Sequence, residues 1–99
     1  MSYKLTFHPV AEKEYLDSVK WYEECKAGLA EPFIREVSKI LDLLEKNPFL
    51  FPAKKKDFRE ALLKIFPYVI VFKVNENKKQ VIIVAVFHTS RNPIHKYKR

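Results

Sequence analysis

A histidine and an arginine follow the most apolar stretch of the chain, and their types suggest acid–base chemistry on a phosphate. His88 comes directly after the apolar run at residues 81–87, and Arg91 lies three residues further on. An imidazole titrates near neutral pH and a guanidinium binds phosphate, so this pair could support cleavage of a phosphodiester by general acid–base catalysis. The same spacing fits a histidine that closes a strand by hydrogen bonding beside an arginine at the rim, and short motifs often arise by chance. The structural alternative is the simpler one.

Two further residues could join such a site. Arg59 is flanked by apolar residues of a predicted strand, so its side chain must reach an edge of the sheet or pair with an anion. Strand alternation places Arg59 and Lys64 on opposite faces, and they cannot share one site unless a bulge intervenes. Tyr97 could stack on a base or donate a proton, whereas a tyrosine so near a terminus more often only packs. The candidate catalytic set is therefore Arg59, His88 and Arg91, with Tyr97 as a weak addition.

The basic residues are concentrated in the second half of the chain. Residues 1–50 hold seven Lys/Arg against nine Asp/Glu, and residues 51–99 hold twelve against three, so the two halves contribute −2 and +9 to the net charge of +7. A positive half favours a polyanion such as nucleic acid, or an acidic protein, over a neutral partner. A solvated surface is the simpler alternative. We assign contacts with a target or a nucleic acid to Lys54, Lys55, Lys56, Lys96, Lys98 and Arg99.

Length and composition exclude several classes of protein. A chain of 99 residues suits a single domain, residues 1–99, and its single glycine argues against linkers and disorder. The longest apolar run is far shorter than the roughly 20 residues that span a bilayer, and the N-terminus lacks an apolar signal segment. We therefore expect a cytoplasmic protein that does not enter a membrane. Cys25 is the only cysteine, and the three histidines lie in different segments, so neither a metal nor a cofactor is expected.

The apolar spacing predicts the elements that position these residues. A short strand at residues 3–7 precedes an amphipathic helix at residues 9–26, and a second helix ends at Asn47-Pro48. Residues 49–57 are predicted to form a loop. Three strands follow at residues 58–66, 68–74 and 80–88. The order β-α-α-β-β-β predicts an α+β fold, with a mainly antiparallel four-stranded sheet and a helical hairpin packed on one face.

The second face of this sheet also needs cover. Residues 69–72 and 81–87 are apolar at consecutive positions, so these strands present apolar side chains to both sides. Two helices can cover only one side. Because soluble monomers rarely expose a large apolar patch, we expect the C-terminal tail, a second copy or a partner chain on the other side, and we favour a partner.

Several stretches of the chain occur together in one known family. In their order and spacing they resemble the RelE/ParE superfamily of toxins from bacterial toxin–antitoxin pairs, over nearly the whole chain. The most specific part is the FPY-V-I-V-F stretch followed by an apolar strand and H-x-x-R-x-P, and these features are closer to the ParE members. The other matching residues are Ala11, Tyr15, the LAEPF segment at 29–33, Asn47-Pro48 and Arg59 before LLKIFPYVIVFKV.

The resemblance implies the toxin of a type II toxin–antitoxin system, of the kind that stabilises plasmids. Such a toxin arrests growth when free. A cognate antitoxin would wrap it with a helix or an added strand, and a homodimer or a heterotetramer with the antitoxin is the implied assembly. Members of the superfamily differ in target. RelE-like members cleave messenger RNA on the ribosome with basic residues and a tyrosine or histidine, whereas ParE-like members poison DNA gyrase without a clear catalytic constellation.

The candidate residues bear on this choice of target in opposite directions. Arg59, His88 and Arg91 match positions where the family has basic or catalytic groups, but Tyr97 lies later than the tyrosine of typical ribonuclease members. We therefore favour a ParE-like action on DNA gyrase. The alternatives are a ribosome-dependent endonuclease of messenger RNA, which would make the protein an enzyme, and a non-enzymatic nucleic-acid-binding module.

Overall fold

The computed structural model describes residues 2–90 and contains two long helices and a single sheet in that range. The predicted strand at residues 58–66 ends four residues early. The predicted loop at residues 49–57 holds a short 3₁₀ turn and an additional strand. The elements are β1 (Lys4–Phe7), α1 (Pro9–Cys25), α2 (Ala30–Lys46), the 3₁₀ turn (Pro48–Leu50), β2 (Ala53–Lys55), β3 (Phe58–Leu62), β4 (Tyr68–Asn75) and β5 (Gln80–His88).

The sheet within residues 2–90 has five strands in the order β1-β5-β4-β3-β2. Strand β1 runs parallel to β5, and the other three pairs are antiparallel. The predicted α+β class is confirmed, but the four-stranded sheet is wrong because β2 was missed. This strand is the three-residue segment Ala-Lys-Lys, which has neither the length nor the apolar alternation that marks a strand in a sequence.

Local signals in the sequence set the ends of the helical hairpin. Pro9 occupies the first turn of α1, and the Nδ1 atom of His8 accepts a hydrogen bond from the backbone N–H of Val10 at 3.1 Å. After α1 the chain reverses at Gly28, whose φ of 86° favours glycine. Helix α2 stops before Pro48, which has no N–H to continue the helical ladder.

The main core lies between this hairpin and the sheet. Helix α2 buries the predicted stripe Phe33, Val37, Ile40 and Leu44, which confirms that prediction. The ring of Tyr22 from α1 lies 5.1 Å from that of Phe33, so the two helices meet through aromatic side chains. Full burial of each large apolar side chain contributes about 1.5–3 kcal/mol, and this layer therefore supplies much of the fold's stability. It is completed by Leu63, directly after β3, and by the strand residues Ala61, Ile70, Phe72, Val81, Ile83 and Val86.

The second face of the sheet forms a smaller buried cluster. Its side chains are at most 3% exposed in the single chain, so no partner is needed to remove them from water. The expectation that a second copy or a partner chain must cover this face is therefore wrong for these residues. The tail, which was the other predicted cover, lies outside the described residues. The cluster consists of Phe58, Val69, Val71, Val84, Ala85 and Phe87. No helix in the described part of the chain is long and apolar enough to cross a membrane.

A carboxylate placed in the middle of β5 should unfold the protein. Ile83 is fully buried and Ile65 is 78% exposed, so the same substitution can be compared at two extremes of burial. We expect Ile83→Asp to cost several kcal/mol, comparable with the whole stability of a small domain, because the new carboxylate would be buried without a partner. Ile65→Asp should leave urea unfolding almost unchanged, and an unchanged curve for Ile83→Asp would contradict the described core.

The tyrosines of the main core should make the fold sensitive to alkali. Burial raises the pKa of the Tyr15 and Tyr22 hydroxyls above the ordinary value of 10.0, and nearby Tyr68 adds to the effect on Tyr22. The folded state then keeps protons that the unfolded chain has lost, so the free energy of unfolding falls as the pH rises above about 10. Replacing Tyr15 and Tyr22 together by phenylalanine should flatten this slope in urea titrations, and an equally steep slope would refute the assignment.

Candidate functional site

A β-bulge in β5 decides which way His88 faces. Phe72 pairs with Ile83 and Val71 pairs with Ala85, so Val84 is an extra residue in the ladder. The bulge shifts the alternation of the strand by one position. Val86 therefore lies in the core beneath the helices, and His88, two residues later, shares its side of the sheet.

His88 lies against Tyr68 and the turn that follows β5. Its ring meets the ring of Tyr68 edge-on with 5.1 Å between centroids. Its Nδ1 atom accepts a hydrogen bond from the backbone N–H of Ser90 at 3.1 Å and lies 2.7 Å from the Oγ atom of Ser90. This is the strand-closing role that the sequence allowed as the simpler alternative. Together these contacts hold the ring at the side of a depression of about 150 Å³, which is also lined by Glu14, Asp17, Ser18 and Val86.

Helix α1 places two carboxylates at this depression. One oxygen of Glu14 accepts a hydrogen bond from the backbone N–H of Val86 at 3.1 Å. Because β1 pairs with β5 only as far as Phe7, this carboxylate takes over a strand N–H that β1 does not reach. Asp17 pairs with Lys13 at 2.8 Å on the same helix. Carboxylates beside an imidazole favour a cation over a phosphate, so the described part of this depression is poorly suited to hold a nucleic-acid backbone.

Arg59, the second residue of β3, has a structural partner in the segment before β2. Its Nη1 atom donates a hydrogen bond to the backbone oxygen of Phe51 at 2.6 Å, and its guanidinium carbon lies 4.8 Å from the centre of the Phe49 ring. The side chain therefore lies beside the segment that leads into the edge strand β2, so it reaches an edge of the sheet, as one of the two predicted alternatives required. These contacts fix the segment between α2 and β3.

The structure does not bring the predicted catalytic residues together. Arg59 pairs with Phe72 and His88 pairs with Tyr68, so they are separated by four residues along β4 and by two strand spacings across the sheet. At about 3.3 Å per residue and 4.8 Å per strand, the Cα positions of the two residues are about 16 Å apart. Their side chains also have separate partners, the Phe51 carbonyl for Arg59 and Ser90 for His88, so as placed they do not converge on one phosphate. Arg91 and Tyr97, the other two members of the set, lie outside the described residues.

The predicted lysine cluster lies at the outer edge of the sheet. Lys54 and Lys55 belong to the exposed edge strand β2, and Lys56 follows in a turn with a φ of 54°. These three side chains line one rim of the molecule and could contact an anionic surface. The remaining predicted basic residues, Lys96, Lys98 and Arg99, fall outside the described range.

Two glutamates were missed by sequence reasoning. Glu14 satisfies the N–H of Val86, and one oxygen of Glu36 accepts the N–H groups of Lys64 and Ile65 at 2.6 and 3.1 Å. Both lie at half-buried helix positions among other charged residues, so only the docking of helix on sheet identifies them. Within residues 2–90, no group of three His, Cys, Asp or Glu side chains is arranged to hold a metal ion.

Comparison with known proteins identifies the class to which this fold belongs. The family model described as the ParE toxin of the type II toxin–antitoxin system parDE matches residues 5–93. The chain belongs to this family of type II toxins. The similarity to the RelE/ParE superfamily, closer to its ParE side, is thereby confirmed. No curated protein sequence matches the chain.

Solved structures share the fold at low sequence identity. The chromosomal ParDE system from P. aeruginosa matches with a TM-score of 0.74 and 13% identity, over 90% of this chain and 98% of that chain. The intact E. coli RelBE complex matches with a TM-score of 0.70 and 20% identity, over 91% and 100%. The isolated E. coli RelE toxin matches with a TM-score of 0.69 and 20% identity, over 95% and 92%. At these identities the similarity establishes the fold alone.

Removing the guanidinium of Arg59 should loosen the edge of the sheet. We expect Arg59→Ala to lower the free energy of unfolding by about 1–3 kcal/mol, because the Phe51 carbonyl loses a charged donor. Arg59→Lys should recover only part of this loss, since an ammonium lacks the planar group that covers the Phe49 ring. Urea unfolding measures both, and Lys54→Ala, a change at an exposed residue of β2, serves as the control. Loss of toxicity in Arg59→Ala at unchanged stability would instead assign this side chain to a target.

Proposed function

We propose that this toxin arrests growth by a ParE-like action on DNA gyrase, as a binding protein and not as a nuclease. The observation that carries the proposal is that Arg59 and His88 do not converge. Their Cα positions are about 16 Å apart by their register on β4, and their side chains bond to Phe51 and Ser90 instead. Phosphodiester cleavage needs a positive group and a proton-transfer group on the same phosphate. The match to the ParE family supports the same choice of target.

The surroundings of His88 also favour a binding protein. A general base for RNA would need a phosphate-binding cation nearby, whereas the described depression holds the carboxylates of Glu14 and Asp17. Among the exposed cationic side chains of the described part, Lys54 on β2 and Lys56 in the turn after it lie away from this depression. We assign contact with the target to this edge, together with the basic residues 91–99 that follow the described range.

We also propose that a cognate antitoxin neutralises the toxin in the cytoplasm. Two of the similar structures are toxin–antitoxin systems, the ParDE system from P. aeruginosa and the E. coli RelBE complex. The net charge of +7 favours an acidic partner for this chain. In this proposal the chain is one toxin domain, and it assembles with the antitoxin as a complex whose stoichiometry light scattering would give.

Induced expression in a bacterium tests the proposed target. We expect growth arrest with filamentous cells and breaks in chromosomal DNA, because a poisoned gyrase leaves its substrate cut. Arg91→Ala should weaken the arrest if the basic residues meet the target, whereas Lys13→Ala, a change to a surface ion pair on α1, should not. DNA breakage and messenger RNA ends are measured from the same cultures.

Other outcomes of this experiment decide against the proposal. Cuts at codon positions in messenger RNA without DNA breaks would replace gyrase by the ribosome as the target. Normal growth with intact DNA and RNA, from a protein that is folded in the cell, would leave only a nucleic-acid-binding module, whose affinity should fall steeply with salt.

A further inference from the structure

The ring of His88 makes its contact with the following turn in one protonation state only. Its Nδ1 atom accepts a hydrogen bond from the backbone N–H of Ser90 at 3.1 Å, so this nitrogen carries no proton and the ring is uncharged. Both nitrogens of an imidazolium are donors, so uptake of a proton would set one N–H group against another. The Ser90 hydroxyl, whose Oγ atom lies 2.7 Å from the same nitrogen, is able to donate or accept. The backbone N–H of Ser90 is therefore the group that loses its partner.

The depression beside this ring offers other partners to the charged form of His88. Glu14 and Asp17 from α1 line the depression together with His88, and Asp17 also pairs with Lys13 at 2.8 Å. From β4, Tyr68 meets the ring edge-on and brings a hydroxyl instead of a charge. The two carboxylates attract an imidazolium, so a proton on the ring would favour the side of α1 over the side of the turn.

The turn held by this contact leads directly into the basic residues 91–99. The backbone N–H of Thr89 donates to the Pro67 oxygen at 2.8 Å, which joins the start of the turn to the segment before β4. Ser90 carries the next backbone N–H, and this group donates to the His88 ring. After Thr89, the contact with His88 thus ties the departing chain to the sheet.

We propose that His88 is a positioning residue for the target-binding segment and that it acts only while its ring is uncharged. The uncharged ring holds the turn from which residues 91–99 reach gyrase. Proton uptake from solvent breaks the bond to Ser90, turns the ring toward Glu14 and Asp17, and lets the turn open. The toxin then binds its target more weakly in acid. This inference rests on the proposed function, in which residues 91–99 contact the target.

The direction of the pH dependence follows from the contact. An imidazole gains its proton near neutral pH, so mild acid is sufficient to charge it. The bond to Ser90 is complete at pH values above the titration of the ring and is lost as the pH falls through that titration. A toxin whose competent state is only partly populated binds in proportion to that population.

Two substitutions of His88 hold the turn in each of its two states. His88→Asn keeps an acceptor that does not titrate, because an asparagine side chain bonds the backbone N–H two residues later. His88→Phe keeps a ring against Tyr68 and has no acceptor. His8→Asn is the matched control, since the Nδ1 atom of His8 makes the same kind of contact with the N–H of Val10 and asparagine is also a good helix cap.

NMR of the isotope-labelled full-length toxin tests the contact itself. We expect the imidazole of His88 to carry its proton on Nε2 at neutral pH. Exchange of the Ser90 amide with water, corrected for its intrinsic pH dependence, should become about two- to tenfold faster as the ring is charged, the factor that one hydrogen bond supplies. His8→Asn should show the same change, and His88→Asn should show none. A proton on Nδ1 at neutral pH, or a Ser90 amide that does not respond to the titration of His88, overturns the inference.

DNA cleavage by purified gyrase tests the consequence for the target. At about pH 7.5, His88→Phe should require about two- to tenfold more toxin than the wild type for half-maximal cleavage, and His88→Asn should recover most of this loss. At about pH 6, the wild type should approach His88→Phe while His88→Asn keeps its advantage. Ratios between toxins at one pH cancel the pH dependence of gyrase, and thermal unfolding shows whether each variant is folded.

The outcomes separate this inference from the proposed function. If cleavage occurs but the wild type and His88→Asn lose activity equally in acid, the inference is overturned and the proposed function stands. This comparison decides the matter even if His88→Phe fails to fold. If no form of the toxin, His8→Asn included, promotes cleavage by gyrase at either pH, the proposed function fails, and the inference fails with it.

Discussion

Burial of β4 and β5 on both faces is the constraint on which the rest of the structure depends. Their residues form the main core on one side and the smaller cluster on the other, so neither strand can tolerate a polar side chain or an unpaired backbone group at its centre. The helical hairpin covers one side with the stripe from Phe33 to Leu44. Strands β1 and β3 then satisfy the outer edges of the pair.

Where a neighbouring strand ends, a helix supplies the missing hydrogen-bond partner. Glu14 from α1 takes the N–H of Val86, and Glu36 from α2 takes those of Lys64 and Ile65. These carboxylates connect α1 to β5 and α2 to the segment after β3 by charge-assisted hydrogen bonds at the margin of an apolar core. The depression beside His88 is lined by the first of these carboxylates.

The arrangement separates the basic groups that a nuclease would gather. The register of β4 keeps the Cα positions of Arg59 and His88 about 16 Å apart. Each side chain also has a local structural role, Arg59 with Phe51 and His88 with Ser90. What the described part presents instead are exposed lysines on β2 and an apolar groove beside α2. This organisation suits a family member that acts by contact with other macromolecules.

The sequence by itself determined both helices, the longer strands, the α+β class and the family of this protein. Apolar spacing, Pro9, Gly28 and Pro48 were sufficient for both helices, and continuous apolar runs identified β4 and β5, because these signals depend on neighbours in the chain. Only the tertiary structure decided the extra strand β2, the burial of the second face and the side of the sheet on which His88 lies. Each of these depends on pairing between distant segments. A bulge of one residue at Val84 reverses every side chain beyond it, and nothing local in an apolar run shows where that residue falls.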